Sequence, residues 1–342
     1  MKVEGEIFTI GLPRPFRIAH GVSRTRETVL VRVSDDGFTG WGEGALPPYY
    51  PSRADACLDW LRGLEAGSDP FAALPPAPEE AAAARVAVEM ARFDLAAGRA
   101  GLPLGKFLGM EGRESVAVAR TLSIPENIAE LGEMMAEGRA RGSRLFKLKM
   151  GGDVGWDLDC ARQAVRLAPD CRFMADVNAG WRIGEAVVAL PMLANLGFVL
   201  VEQPVGADWE YWRELREYTR SSPPLIADES FQTAGDIKDA CALADGVNVK
   251  ILKAGGISAA KELLVEARES GLQTMIGVMV ETGIARSAAA QLSSLADWVD
   301  IDPPDAIPTD PLCGFTIEGE HLHLHEGAGL ALSAVTAGGR AG

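Results

Sequence analysis

The sequence predicts an α/β chain built around a TIM-like barrel of parallel strands, with a separate α+β block ahead of it. Three observations predict this. Between Leu145 and Lys250, short apolar runs recur about 22–27 positions apart, the length of one strand, loop, helix and loop in a barrel of βα units. Each run is only about 4–6 residues long, as expected of parallel strands buried on both faces. Each also ends in a charged side chain, at the strand end where parallel α/β folds place their active sites. The first hundred or so residues lack this alternation and read as strands followed by helices.

In chain order, residues 7–10 and 28–33 read as strands, Asp35-Asp36-Gly37 as a hairpin turn and residues 38–44 as the return strand. Residues 17–26, between the first two strands, are expected to form a polar, mobile loop. An irregular stretch at 47–51 leads to a helix at 54–65. The proline-rich segment 74–78 then precedes a strong helix from 79 to about 97, whose alanines suit close packing on a sheet. Glycines between 98 and 105 end it, before a last helical turn at 104–108. A boundary near 111–115 separates residues 1–112 from the barrel, 113–314, which opens with a strand at 116–121. Helices at 129–141 and 156–167 follow in step. A strand at 271–281, a helix at 284–295 and a last strand at 298–302 close the series. In the tail, 315–342, residues 315–325 alternate like a hairpin, and only the final residues are expected to be disordered.

A chain of 342 residues that is 47% hydrophobic can bury a large core. Its net charge of −15 argues against nucleic acid as a partner. The five cysteines (Cys57, Cys160, Cys171, Cys241, Cys313) are odd in number and form no Cys-x-x-Cys, which points to reduced thiols. No signal peptide is seen, and no apolar run approaches the ~18 residues that span a bilayer. A soluble, cytoplasmic protein without a membrane partner is expected.

Asp176, Glu202 and Asp228 end three successive strands and would converge on one mouth. Such an oxygen-only set suits Mg²⁺ or Mn²⁺. Lys147 and Lys149 are two apart, so both would point into the barrel, and Lys250 would arrive from across the ring. The plainer reading is of charged strand ends paired with helix dipoles or one another. It fits any single residue, but several buried charges together are costly unless used or paired.

The motifs Lys147-Leu-Lys149, Asp176-Val-Asn178, Glu202-Gln-Pro204, Asp228-Glu-Ser230 and Asn248-Val-Lys250-Ile-Leu-Lys-Ala-Gly-Gly256 together resemble those of the enolase superfamily, within it the muconate-lactonizing subgroup. The resemblance covers nearly the whole chain. It implies a modified (β/α)7β barrel beneath an α+β capping domain, to which the C-terminal tail returns. It implies metal ligands at Asp176, Glu202 and Asp228 and one Mg²⁺ per subunit, with Mn²⁺ as a substitute. Lys149 and Lys250 would be the acid/base pair and Lys147 its support. A lysine base must be neutral to act, and the neighbouring Lys147 and the metal are expected to lower its pKa. Lys253, three residues past Lys250, is expected to face another direction.

Four histidines are present. His321, His323 and His325 share a strand face but stand too far apart for a compact metal site, and His20 alone gives no His–Asp pair, which disfavours the mandelate-racemase branch. Gly255-Gly256 reads as a tight turn, not a phosphate cradle.

Asp300-Ile-Asp302, two aspartates on one face of the last strand, would together attract a cation. They resemble the pair with which dipeptide epimerases hold the α-ammonium of the N-terminal residue. Arg24 and Arg26 fall in the loop that the family uses to read substrate, and Arg24 and Thr121 are expected substrate contacts. Glu43 and Glu281 approach the mouth with roles left open. The resemblance thus implies a Mg²⁺-dependent dipeptide epimerase, of the L-Ala-D/L-Glu type, acting as a homo-oligomer. It would invert the Cα of the C-terminal residue by 1,1-proton transfer between two lysines through an enediolate. The alternatives are an N-acylamino-acid racemase, o-succinylbenzoate synthase or cycloisomerase of the same subgroup and, more remotely, a ligand-binding barrel without turnover.

Overall fold

The computed structural model describes residues 1–64, 69, 72–110, 116–219, 222–307 and 310–334. The expected boundary at 111–115 and the expected disorder of the last residues lie outside these.

The chain begins with an antiparallel sheet, β1 (Lys2–Ile18), β2 (Gly21–Asp35) and β3 (Phe38–Ala45), in that order. Asp36 and Gly37, both at positive φ, make the tight β2–β3 turn. Residues 17–26 are not a loop but the end of a long β1–β2 ribbon that turns at Ala19-His20. The pairing passes from Gly11↔Thr25 to Phe16↔Ser23, so four residues of β1, two of them proline, oppose Arg24 alone. Proline cannot donate to a ladder, and the bulge that absorbs it breaks the alternation by which a strand is recognised.

Next come α1 (Ala54–Arg62), a 3-10 turn at Glu79–Ala81, α2 (Ala82–Ala100) and α3 (Leu104–Phe107). Helix α2 runs through Gly98 and stops where Gly101 takes a left-handed cap. Strand β3 lies directly on it. A Cβ at Gly40, Gly42 or Gly44 would sit 2.0, 1.9 or 2.1 Å from the carbonyl oxygens of Ala91, Ala87 and Ala83. The alternating glycines of the strand are what allow this approach.

The barrel comprises β4 (Arg120–Leu122), α4 (Ile128–Ala140), β5 (Leu145–Lys149), α5 (Val154–Leu167), β6 (Arg172–Asp176), α6 (Ile183–Asn195), β7 (Leu200–Glu202) and α7 (Trp209–Tyr218). It continues with β8 (Leu225–Ala227), α8 (Ile237–Leu243), β9 (Gly246–Lys250), α9 (Ile251–Ala254), α10 (Ile257–Glu269), β10 (Gln273–Gly277), α11 (Gly283–Gln291) and β11 (Trp298–Asp300). The eight strands pair in parallel in chain order, and a bridge from Val118 to Val299 closes the ring. Strand β4 starts later than expected because the residues before it pair with the tail, Ala117 against His321. Inward-facing Ala119, Leu145, Met174, Leu200, Ile226 and Met275 fill the N-terminal end of the barrel. Polar groups are left for the other end. Glu89 of α2 joins the two parts, its Oε1 accepting from Ser258 N at the start of α10 at 3.2 Å.

The tail adds β12 (Leu312–Cys313), the expected hairpin β13 (Phe315–Glu318) and β14 (His321–Leu324), and β15 (Ser333–Ala334). His321 and His323 point outward, exposed. Beyond the hairpin the tail reaches α2, where buried Asp94 accepts from Leu330 N at 2.6 Å and from Trp41 N of β3 at 2.8 Å. All five cysteines are free thiols. No helix among the described residues is long and apolar enough to cross a membrane.

Candidate active site

A cavity of about 440 Å³ opens at the C-terminal ends of the barrel strands, under the capping sheet. Strand alternation aims Lys147 and Lys149 of β5 into the barrel, and Asp176, Glu202 and Asp228 end or follow the next three strands. Lys250 ends β9, four strands around the ring of eight from β5, and so faces Lys149 from the opposite wall.

All three carboxylates are buried, and ammonium groups meet each of them. Lys147 Nζ lies 2.8 Å from Asp176 Oδ2, 2.7 Å from Glu202 Oε2 and 2.5 Å from Asp300 Oδ2. Lys149 Nζ donates to Asp176 Oδ2 at 2.6 Å and to Asn178 Oδ1 at 3.2 Å. Lys250 Nζ donates to Asp228 Oδ2 at 2.6 Å. Lys253 does not line the cavity, yet it turns back to the same acid. Its Nζ reaches Asp228 Oδ1 at 2.6 Å and the carbonyls of Asp228 and Asn248 at 2.6 and 2.8 Å.

The electrostatics follow from these pairs. Burial opposes ionisation of Asp176, but Lys147 and Lys149 outweigh it and hold the carboxyl well below its ordinary range. Asp228 is held low against burial by Lys250 and Lys253. Glu202 is pushed up to about 8 by burial and by the charges of Asp176 and Asp228. For Lys250, burial and the charge of Lys147 favour the neutral amine, as expected of a base. Asp228 and Glu202 outweigh them and raise its pKa instead.

The donor set fits a hard divalent cation. Among the described residues Glu202 Oε2 is buried without a hydrogen bond of good geometry, and the mutual repulsion that helps raise Glu202 is what such a cation relieves. Among the described residues no three acidic, histidine or cysteine side chains stand together as a ready-formed cage, since the lysines lie between them.

At the rim, Thr121 Oγ1 donates to Asp300 Oδ1 at 3.4 Å and Thr121 N to Asp302 Oδ1 at 2.8 Å. All three residues line the cavity. Asp302 is not on β11, which ends at Asp300. It has turned to φ +51°. Burial first and the charge of Asp300 second raise its pKa. Arg24 does not take its expected place. It is exposed and stands off the cavity wall, whereas half-buried Arg26 lines it, because the bulge in β1 breaks the ribbon's alternation opposite Arg24.

Glu43 is a helix cap, accepting from Thr282 N at 2.8 Å, Thr282 Oγ1 at 2.6 Å and Ala285 N at 3.0 Å at the start of α11. Glu281 lines the cavity, raised to about 8 by burial and by the charge of Glu43.

Sequence reading missed two features. Tyr49 and Tyr50 pack edge to face at the cavity, two aromatics in a stretch bounded by prolines. Arg286 lies buried in α11, where all nine residues are buried. One cation in a helix whose other residues are all uncharged was the available signal.

Residues 2–109 match the mandelate racemase / muconate lactonizing enzyme N-terminal domain, and residues 130–334 match the enolase C-terminal domain-like family. A hydrophobic dipeptide epimerase of Roseobacter litoralis is 31% identical over 93% of this chain and 94% of its own length. An o-succinylbenzoate synthase of Geobacillus stearothermophilus is 30% identical over 84% and 79%. A dipeptide epimerase of Enterococcus faecalis, solved with Mg and the dipeptide L-Leu-L-Tyr, superposes with a TM-score of 0.85 at 27% identity, covering 97% of this chain and 99% of that one.

Proposed function

The chain belongs to the enolase superfamily, and from that membership we propose that it is a Mg²⁺-dependent dipeptide epimerase in which Lys149 and Lys250 carry the proton. The observation that carries this reading is the placement of the two lysines on opposite walls of one cavity, with Asp300 and Asp302 at its rim.

The substrate's Cα would sit between the lysines. One takes the proton from its face, the other returns one to the opposite face, and the centre is inverted. Asp176 with Asn178 orients Lys149 Nζ, and Asp228 orients Lys250 Nζ. Asp176, Glu202 and Asp228 would hold Mg²⁺, or Mn²⁺ in its place, and the bound ion would supply positive charge against which the substrate's carboxylate acidifies the adjacent C–H. Lys147 bridges Asp176, Glu202 and Asp300, fixing the acids of metal site and rim in one network. Thr121 steadies the rim pair, which would receive the free ammonium of the N-terminal residue. Arg26, Tyr49 and Tyr50 cover the cavity from the capping side, where Arg26 and Arg14 are the arginines that would meet an acidic side chain of a substrate.

An N-acylamino-acid racemase, o-succinylbenzoate synthase or cycloisomerase would use the same lysines and metal site but would have no cation to place at the acid pair. The test is therefore a free-amine dipeptide against its N-acetyl derivative, followed by deuterium uptake from D₂O. Asp302→Asn should cut kcat/KM for the dipeptide at least ~10-fold, the loss of about 1.4 kcal/mol of charge-assisted hydrogen bonding. It should barely affect the N-acetyl compound. Wild-type preference for N-acetyl or N-succinyl amino acids would replace this reading with the racemase one.

A further inference from the structure

We propose that Arg286, through a clamp completed by Asp310, is a positioning residue that sets the preference for free-amine substrates by holding Asp302 in its left-handed turn. The proposal rests on the epimerase reading and concerns how the rim pair is built.

Arg286 is almost fully buried in α11. Its guanidinium spends its hydrogen bonds on one segment, the chain leaving β11. Nη1 donates to Pro303 O at 2.9 Å and to Asp302 O at 3.3 Å, and Nη2 pairs with the carboxylate of Asp310. Asp310 is fixed in turn by Gly283 N, which donates to its Oδ1 at 2.6 Å. Helix α11 thus grips this segment at two points, by the N–H of its first residue and by Arg286.

The grip falls on a residue that needs it. Asp302 has φ +51°, a left-handed conformation uncommon outside glycine though taken by Asp more readily than by most residues, and here its surroundings hold it. The turn folds the carboxylate back, so that Oδ1 meets Thr121 N beside Asp300. Had the chain continued β11 as an extended strand, residue 302 would stand two strand steps, about 6.6 Å, beyond Asp300 along the strand. The two carboxylates would then be spaced along the strand rather than gathered on Thr121.

A stabilising role alone explains Arg286 poorly. A buried ion pair is weak evidence for stability, and among the described residues this one leaves the Nε–H without a hydrogen-bond partner. What the arginine does uniquely is join two carbonyls and a carboxylate of one segment in a fixed plane.

The experiment compares wild type with Arg286→Met, Arg286→Lys and Asp310→Asn, using a free-amine dipeptide and its N-acetyl derivative in D₂O. Arg286→Met should lower kcat/KM for the dipeptide at least ~10-fold, chiefly by raising KM, and leave exchange of the N-acetyl compound within about twofold. Arg286→Lys, with one donor head in place of a fork, should regain part of the loss. In a crystal structure of Arg286→Met or Asp310→Asn, residue 302 should leave the left-handed region. Asp310→Asn keeps the acceptor for Gly283 N, so it decides the matter if Arg286→Met does not fold. Equal losses on both substrates, a retained free-amine preference, or an unchanged φ at 302 would overturn the clamp. Wild-type enzyme that prefers the N-acetyl compound would overturn the epimerase reading alone, and the backbone at 302 would still test the clamp.

Discussion

Asp94 gives a prediction whose size can be worked out in advance. It is buried in α2, accepts backbone N–H groups from β3 and from the tail, and is pushed by burial to about 6 from an ordinary 3.8. Since the folded-state value is raised, the stability linked to this proton is fully present below 3.8 and is lost as pH rises through about 6. Between pH 7 and pH 5 the group should regain about 1.4 kcal/mol, with the rest returning at lower pH. Asp94→Asn keeps the shape and removes the titration, so other pH effects cancel in the comparison. Urea unfolding of both proteins at pH 7 and pH 5 should therefore show the wild type gaining about 1.4 kcal/mol on the variant at the lower pH. A gap that does not change with pH would mean that Asp94 does not hold its proton near pH 6. A gap moving the other way would make it a depressed acid, and the reasoning from burial would be wrong.

Three more outcomes are expected. Chelation should stop turnover and Mg²⁺ restore it, and Asp228→Asn should weaken Mg²⁺ binding measured by calorimetry; full activity in excess chelator would remove the metal from the reaction. Lys149→Ala and Lys250→Ala should each abolish epimerisation, while one epimer still exchanges its Cα proton in each variant. If Lys253→Ala is dead and Lys250→Ala is not, the wrong lysine of the pair at Asp228 has been chosen. Gly42→Ala should destabilise the fold by about 3 kcal/mol or more, because its Cβ would lie 1.9 Å from Ala87 O and neither backbone can yield cheaply; a wild-type urea midpoint would show that strand and helix separate easily.

The barrel was legible because its strands announce themselves twice, as apolar runs and as charges at their ends. Lys147, Lys149, Asp176, Glu202, Asp228 and Lys250 meet as that pattern implies. What sequence could not show was the consequence of a bulge or a turn. The polar residues 17–26 read as a loop, and the bulge at Pro13 and Pro15 hid the register in which Arg26, not Arg24, lines the cavity. Asp302 looked like the next inward residue of a strand, although the chain had already left the strand and turned left-handed. Arg286 was passed over because its partners, Pro303 and Asp310, are remote in sequence and two of its contacts are to carbonyls that any residue could supply.

Glu43 and Glu89 belong to the N-terminal part of the chain, yet they supply the starts of α11 and α10, the helices that follow strands β10 and β9. The two parts are therefore not interchangeable modules. A chimera that joins this barrel to the N-terminal region of a relative would inherit two helix ends whose missing acceptors lie in the discarded half. Such a hybrid should suffer first in the walls around Lys250 and Glu281, even with every barrel residue unchanged. Exchange of substrate preference by recombination at the junction would then succeed only between parents that carry both carboxylates at matching positions, which ties the inheritance of the roof to that of the room beneath it.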